Sequence, residues 1–406
     1  MRVLRSYDEA IIVVNECLGK RNITKSTKLK NPPSQVEGPW EQSEQAADNT
    51  LRYIFEKLHH NCYLLCVGET SEILKLESST TAPSFKPALL KLNKTIRGTK
   101  RKTLVKTLKT KQWRVMQCVV KPYRESTSVE YPRFIEGLIL QEGVYILNLT
   151  DAVILREDGT EPWPMVTGSK SLGKYNFTSH LPILSCSGQK GYWDIPIPNY
   201  DDIRLVMGYD KIGVPMLDWK QKKPIAVFRG GPTGCGTTKE TNMRLKLASL
   251  KSENLDVGIV ENKSGTLKFD PVDGLGTLQT DQKKVGFLDL ITEQSQYKYI
   301  IHVDGNVVAY RLLKSMLTGS LVLRVESEYV HWADHLLVEG KHYVSVNSDL
   351  SNLNEVLDWC SKNDSKCKKI AEQGMKFATK ILTKEYLQSY FATLLASIQY
   401  KNGFIH

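Results

Sequence analysis

The chain of 406 residues lacks any run of about 18 consecutive apolar residues, the length that a membrane-spanning helix needs. Its first residues, MRVLRSYDEAIIVVNECLG, place acids within a short apolar run and offer no small-residue cleavage site, so they do not resemble a secretory signal peptide. The last residues, NGFIH, are not a retention tail. These absences predict a protein without a membrane span and with a cytoplasmic location.

Cysteine is present without a recognisable framework. The eight cysteines are scattered, and the C-x3-C pair of Cys62 and Cys66 has no second Cys/His pair at a zinc-like distance. A pair of acids at Asp201 and Asp202 is too general to indicate a metal site. We therefore expect reduced, packed thiols and no bound metal.

Acidic residues are missing from the segment 86–114, which holds much of the net charge of +11. Such a tract can contact nucleic acid, an anionic surface or a phosphorylated ligand. It lacks the interleaved aromatic residues of a single-strand binder, and its leucines recur at helical spacing. The alternative is the solvated face of an amphipathic helix.

The order of apolar and polar runs predicts two α/β domains. Residues 20–50 are polar and interrupted by proline, which indicates a loop or extended arm. Residues 51–67 are predicted as a helix, and the segments 113–120, 143–149 and 181–187 as strands, with a loop at 158–175. The predicted divisions are an N-terminal arm (1–50), a first α/β domain (51–210), a second α/β domain (211–385) and a C-terminal helix (386–406).

From about residue 205 strands alternate regularly with helices, which predicts a parallel sheet. In such sheets, ligands bind beyond the carboxyl ends of the strands. One strand end is AVFRGGPTGCGTTKETNMR (226–244), where a Gly-rich loop allows backbone N–H groups to approach an anion, with Arg229 and Arg244 as a clamp. It is neither a Walker loop nor G-x-G-x-x-G. A plain turn is the alternative.

The second strand end is KYIIHVDGNVVAYRLL (298–313). If a helix begins at Asn306, its first N–H groups and the Arg311 guanidinium can converge on one phosphate, while Asp304 fixes the loop or accepts from a ribose hydroxyl. Alternatively, Asp304 only caps the helix and Arg311 lies in solvent. Two such ends on adjacent strands favour a diphosphate site.

A third candidate is Asp151, which directly follows the apolar strand GVYILNLT. A carboxylate at the carboxyl end of a strand can serve as a general base. Many aspartates at strand ends are only turn residues, so this alternative stays open.

Several of these motifs together resemble a known family. The segments VFRGGPTG, YKYIIHVDGNVVAYRLLKSMLTGSLVLRVESEYVHW and KKIAEQGMKFA are similar to the Rumi-type and capsule-associated glycosyltransferases, glycosyltransferase family ninety. The resemblance runs from about 140 to 395 and is dense from 225 to 380, whereas the first 110 residues match little.

The resemblance implies a GT-B fold, in which two Rossmann-like domains face a cleft, and an inverting, metal-independent reaction. It makes 51–210 the acceptor-side domain and 211–385 the nucleotide-sugar-binding domain. The catalytic aspartate of the family ends an Asn-Val-Arg-Asp motif, which corresponds here to Asn148 through Asp151, with Thr150 in place of the arginine. It also implies contacts between this chain and the sugar donor. The implied donor-binding residues are Asp194, Arg229, Gly230, Gly231, Thr233, Arg244, Asp304, Gly305, Asn306 and Arg311.

The resemblance therefore predicts transfer of glucose or xylose from a UDP-sugar to a hydroxyl of a protein or glycan acceptor, with no cofactor beyond the donor. The alternative is a non-catalytic or weakly active protein of the same fold that binds an anionic partner through residues 86–114. Nucleic acid is not the expected partner, and the oligomeric state is left open. A virus that acts in a host cell is one source that would fit a cytoplasmic member of this family.

Overall fold

The structure is a computed structural model that describes residues 3–19, 28–58, 62–68, 71–76, 127–160, 178–210, 217–260, 267–270, 274–278 and 285–401. The chain divides into two compact units. The first comprises Met1–Tyr200, Val330–His335 and Leu387–His406, and the second comprises Asp201–Tyr329 and Leu336–Tyr386. Both contain sheets with parallel strands and packed helices, so the predicted α/β class is confirmed.

The first unit is built on a six-stranded sheet of order β1-β3-β2-β4-β5-β7. Its strands, with the short β6, are β1 Val3–Leu4, β2 Cys62–Val67, β3 Ser71–Leu76, β4 Gly143–Asn148, β5 Ile183–Ser185, β6 Gly188–Gln189 and β7 Ile195–Pro196. Strand β2 runs antiparallel to β3 and β4, whereas β4, β5 and β7 are parallel. Every residue of β4 is buried, as expected for an apolar strand in the middle of a sheet.

The helices of the first unit are α1 Tyr7–Leu18, α2 Glu44–Arg52 and α3 Thr127–Ile135. Helix α2 begins at Ser43, whose hydroxyl accepts from the backbone N–H of Ala46. The loop predicted for residues 20–50 was therefore wrong in its last part. The helix predicted for 51–67 was also wrong beyond Leu58, because CYLLCV forms β2, paired on both sides.

Some predicted segments lie outside the described residues. They are the basic tract 86–114, the strand at 113–120 and most of the loop at 158–175. Those predictions remain untested.

The second unit contains a five-stranded sheet of order β15-β13-β12-β8-β9, in which every pair is parallel. The strands of this part of the chain are β8 Lys223–Gly230, β9 Leu255–Ile259, β10 Leu267–Asp270, β11 Gly274–Thr277, β12 Tyr297–His302, β13 Leu321–Val325, β14 Tyr329–Val330 and β15 Val344–Val346. Strands β10 and β11 form a separate antiparallel hairpin. The predicted parallel sheet is confirmed.

Helices follow these strands as the alternating pattern predicted. They are α5 Met243–Ser249, α6 Leu312–Leu317, α7 Leu353–Lys362 and α8 Asp364–Ile381; α4 Tyr200–Val206 precedes β8, and α9 Lys384–Ser397 belongs to the first unit from Leu387 onward. The core of the second unit joins strand residues such as Phe228, Ile301 and Leu323 to Leu357 and Ala371 of the helices. Apolar side chains on the sheet thus bury the apolar faces of α7 and α8.

Candidate functional site

Strands β8 and β12 are neighbours and parallel, with Ala226 opposite Tyr299 and Val227 opposite Ile300. The loops that follow them therefore leave the sheet at the same edge. These two segments, 230–242 and 303–311, are called the first and second strand-end loops. They contain the predicted glycines and Arg311, whereas Arg229 lies in β8 and Arg244 in α5.

The two strand-end loops contact each other at Gly234 and Gly305. The backbone N–H of Gly234 donates to Oδ1 of Asn306 at 2.9 Å. A Cβ atom at Gly305 would overlap Oγ1 of Thr233 and lie 3.1 Å from Nη2 of Arg244. Gly234 has φ +93°, a conformation that other residues rarely adopt. Glycine at these positions therefore permits the close approach of the loops.

Arg244 fastens the two loops together. Its Nε donates to the carbonyl oxygen of Asp304 at 3.0 Å, its Nη1 to that of Gly231 at 3.1 Å and its Nη2 to that of Val303 at 2.9 Å. Three carbonyl oxygens from two strand ends thus converge on one guanidinium. The fork geometry of arginine suits this bridging.

Asn242 organises the first loop, and the sequence analysis missed it. Its Nδ2 lies 3.0 to 3.4 Å from the carbonyl oxygens of residues 233–236, and its Oδ1 accepts from the backbone N–H groups of Arg244 and Leu245. One buried side chain therefore caps α5 and gathers the carbonyl groups of the loop. The sequence signal was an asparagine directly before a helical run, which is a preferred N-cap residue.

A buried carboxylate supports the far side of the same loop. Oδ2 of Asp270 accepts from the backbone N–H and hydroxyl of Thr237, at 2.7 and 2.8 Å, and from the hydroxyl of Thr241 at 2.6 Å. The side chains of Asn242 and Asp270 thus both stabilise the first strand-end loop through hydrogen bonds.

Arg311 occupies a position that differs from the prediction. The helix begins at Leu312 rather than at Asn306, and Arg311 is its N-cap residue. The earlier start was wrong because turns occupy this segment: Gly305 N–H donates to the carbonyl oxygen of Val307, and Ala309 N–H donates to Oδ1 of Asp304. No helix N-terminus is therefore available at Asn306.

The Arg311 guanidinium has one donor group without a partner. Its Nη1 donates to the carbonyl oxygen of Arg229 at 2.8 Å, whereas its Nη2 is buried and unpaired within the described residues. Its carbon Cζ lies 5.2 Å from the centre of the Phe228 ring, and that of Arg244 lies 5.8 Å from the same centre. Burial and the charge of Arg244 lower the pKa of Arg311 to about 9, which still leaves it charged at neutral pH.

The guanidinium of Arg229 forms hydrogen bonds and an ion pair with other groups of the second unit. Its guanidinium donates to the carbonyl oxygens of Phe228 and Asp256, at 3.0 and 2.7 Å, and forms an ion pair with the Asp256 carboxylate. Tyr297 also donates to that carboxylate at 2.5 Å. The side chain of Arg229 therefore links β8 to β9. Its main-chain oxygen accepts the hydrogen bond from Arg311. Both guanidinium groups of the predicted clamp thus make internal contacts, and the contact of Arg229 with the donor stays a prediction.

Asp304 fixes the second loop, one of its two predicted roles. Its Oδ1 accepts from Ala309 N–H at 2.7 Å, its Oδ2 from the hydroxyl of Ser327 at 2.6 Å, and Nε2 of His302 lies 3.5 Å away. Burial alone would raise the pKa of Asp304, but the contacts with His302, Ser327 and Ala309 lower it to about 2. The carboxylate is therefore charged throughout the neutral range.

Asp151 lies in the first unit, in a segment that is otherwise hidden. From residue 141 to residue 155, every residue is buried except Asp151, which is partly exposed. The side chain of Asn148 spans it, because Nδ2 donates to the carbonyl oxygen of Ala152 at 2.7 Å and Oδ1 accepts from the Thr150 hydroxyl at 2.7 Å. Thr150, which replaces the family arginine, thus helps to fix the turn that presents Asp151.

Asp194 also supports this segment from within the first unit. Its buried carboxylate accepts from the backbone N–H groups of Ile154 and Leu155 and from the Ser185 hydroxyl, at 2.6 to 3.0 Å. Burial raises the pKa of Asp194 to about 6, although these bonds favour the charged form. These contacts give it a structural role beside Asp151, and its predicted donor contact stays a prediction.

The described residues contain no group of three or more histidine, cysteine, aspartate or glutamate side chains placed to hold a metal ion. Within the same ranges, no helix has both the length and the apolar character to cross a membrane.

Comparison with known proteins identifies the family. The profile of glycosyl transferase family 90 matches residues 158–401, which is more than half of the chain. The chain belongs to glycosyl transferase family 90. The resemblance seen in its motifs is confirmed.

Two relatives show how the match is distributed. The chain is 31% identical over 310 residues to the uncharacterized protein 179R of Invertebrate iridescent virus 6, covering 62% of this chain and 26% of that protein. It is 32% identical over 268 residues to protein O-glucosyltransferase 3 of Homo sapiens, covering 62% of this chain and 48% of that protein. The chain thus spans about a quarter to a half of the length of these relatives.

A solved structure adds no further constraint. The Anabaena protein HepE, in complex with UDP-glucose, is 14% identical and covers 49% of this chain and 53% of that chain, with a TM-score of 0.30. At that score the likeness carries no argument about this protein.

Proposed function

We propose that this chain transfers a sugar from a UDP-sugar to a hydroxyl group of a protein or glycan, with inversion at the anomeric carbon and without a metal ion. The observation that carries the proposal is the buried Nη2 of Arg311, which has no partner among the described residues and belongs to one of the two strand-end loops that contact each other. A buried donor without a partner is costly, so an anionic ligand that accepts from it is expected.

The donor diphosphate would be bound at the strand-end loops of the second unit. Gly230, Gly231 and Gly305 have no side chains and would let main-chain N–H groups approach the diphosphate, and Thr233 and Asn306 offer polar side chains at the contact between the loops. Arg311 supplies a charge-assisted hydrogen bond, and the guanidinium of Arg244 adds positive charge. Asp304, Asn242 and Arg244 keep the loops in place.

The same cations would stabilise the leaving group. As the bond between the anomeric carbon and the diphosphate oxygen breaks, negative charge grows on that oxygen. Fixed guanidinium groups already directed at this position lower the energy of the transition state, because they need no reorganisation. This supports a reaction that needs no metal ion.

Asp151 would act as the general base. It is the single partly exposed residue between 141 and 155, and Asn148 and Thr150 restrict the turn that carries it. Its carboxylate would take the proton of the acceptor hydroxyl as the oxygen attacks the anomeric carbon from the face opposite the diphosphate. Attack from that face inverts the configuration.

The relatives support glucose as the sugar and a protein as the acceptor. Three mammalian relatives at 32% to 34% identity are named protein O-glucosyltransferase 3. Xylose stays an alternative, since it differs from glucose by one hydroxymethyl group and pockets discriminate weakly on that basis.

The experiment is donor hydrolysis and binding across UDP-, GDP- and CMP-sugars in the presence of a chelator, with wild type and Asp151→Asn. We expect turnover of one UDP-sugar by wild type, and loss of turnover with retained binding in Asp151→Asn. Donor binding without turnover in the wild type would leave the non-catalytic alternative. Absence of binding to every donor would overturn the proposal.

A further inference from the structure

A cavity of about 600 Å³ lies in the second unit, outside the strand-end loops. It is formed by the turn before β15, by β15 itself and by α7 and α8. Its lining includes no residue of either strand-end loop. Its volume is within the range of about 300–1,000 Å³ that small-molecule sites occupy.

The apolar part of this cavity is formed by Trp359 and by three aliphatic residues, Val344, Val356 and Ile370. Trp359 is half-buried because it also packs against the core. Its indole N–H donates to no group in the described part of the chain, although its carbonyl oxygen accepts from Asn363. The indole thus offers both an aromatic face and a free donor to a ligand.

Successive helical turns direct polar side chains to the same cavity. Helix α7 contributes Glu355, one turn before Trp359, and α8 contributes Lys366, Lys369 and Gln373 at spacings of three and four residues. Among the described residues, no hydrogen bond or ion pair is formed by the side chains of Glu355, Lys366 or Gln373. They are therefore available to a ligand.

The charges around the cavity cancel. Two carboxylates, Glu339 and Glu355, balance Lys366 and Lys369. A ligand of high negative charge, such as a nucleotide, gains little from such a ring. A purely apolar ligand would leave the many polar groups of the cavity without partners.

We propose that this cavity binds a neutral carbohydrate of two or three sugar units. A sugar ring has an apolar C–H face that can lie on the Trp359 indole. Its hydroxyl groups both donate and accept, so they suit carboxylates, lysines and the Gln373 amide at once. The inference concerns a second site and does not depend on the transfer reaction.

The test is calorimetric titration with maltotriose, cellotriose and xylotriose at millimolar concentration, in the presence of saturating UDP. We expect at least one trisaccharide to bind with little dependence on salt, because it carries no charge. Trp359→Ala and Gln373→Leu should each weaken it by about tenfold. The matched control is Lys376→Ala, an exposed lysine of α8 outside the cavity, which should leave the affinity unchanged.

Three results would overturn the proposal. They are absence of binding by all three sugars, equal binding by wild type and Gln373→Leu, and binding that disappears when UDP is present. Thermal unfolding of each variant identifies any loss of folding in Trp359→Ala. Glu355→Leu, an exposed helix position, then replaces that variant and should weaken binding in the same way.

Discussion

Arg311 and Arg229 are joined by a single hydrogen bond of 2.8 Å, from Nη1 of Arg311 to the main-chain oxygen of Arg229. The guanidinium of Arg229 itself is turned to Asp256. One arginine therefore holds the strand end in place, and the other keeps a buried Nη2 unpaired in the described part of the structure. Arg229 also has a buried Nε without a partner among the described residues, but both of its terminal nitrogens are engaged, so we propose Arg311 as the main anion-binding residue.

The contact between the strand-end loops should be sensitive to one added methyl group. Gly305→Ala places a Cβ atom against Thr233 and Arg244, so we expect a loss of about 1–3 kcal/mol in the free energy of unfolding and weaker UDP binding. Urea denaturation and UDP titration measure both effects. Gly286→Ala is the matched control, because a Cβ there meets nothing within 4 Å. Equal behaviour of the two variants would contradict the close approach.

The role of Asn242 can be divided with two substitutions. Asn242→Asp keeps an oxygen that caps α5 but loses the donor to four carbonyl oxygens. We expect it to weaken UDP binding about tenfold, because negative charge now faces those oxygens. Asn242→Ala also loses the cap, so it should lower the free energy of unfolding further, by about 1 kcal/mol. Wild-type affinity in Asn242→Asp would show that the carbonyl contacts do not shape the site.

Acid should loosen the second loop through Asp304. Its pKa falls from 3.8 for the free side chain to about 2 in the folded protein, so the unfolded chain binds the proton first as pH falls. The associated stability, on the order of 2 kcal/mol, is fully present above pH 3.8 and is lost as pH falls toward 2. Chemical denaturation at a series of pH values measures it. The Asp304→Asn variant should lack this part of the pH dependence, and an identical slope would contradict the assignment.

Much of the second unit could be predicted from the sequence. Continuous apolar runs such as IAVF, bounded by polar or glycine residues, identify buried parallel strands, and the alternation of strands with helices places the loops at one edge. The same reasoning failed at CYLLCV, since a short apolar run suits a helix or a strand and only its pairing with β3 and β4 decides.

The site residues were harder to assign because their partners are distant in sequence. Nothing local to Arg229 indicates that Asp256 would engage its guanidinium. The start of α6 depended on Asp304 accepting from Ala309, which favours a turn over a helix. Asp151 was found by its place at a strand end, but its selective exposure became visible only in the folded chain.

The central claim is that the strand-end loops of the second unit bind the donor diphosphate through Arg311. Calorimetric titration of UDP into wild type, Arg311→Ala and the control Arg204→Ala, all with chelator present, tests it directly. Arg204 is paired with Asp210 in the same unit and takes no part in the loops. We predict binding by wild type and Arg204→Ala, and a loss of about ten- to a hundredfold in Arg311→Ala. Equal UDP affinity in all three proteins would contradict the account.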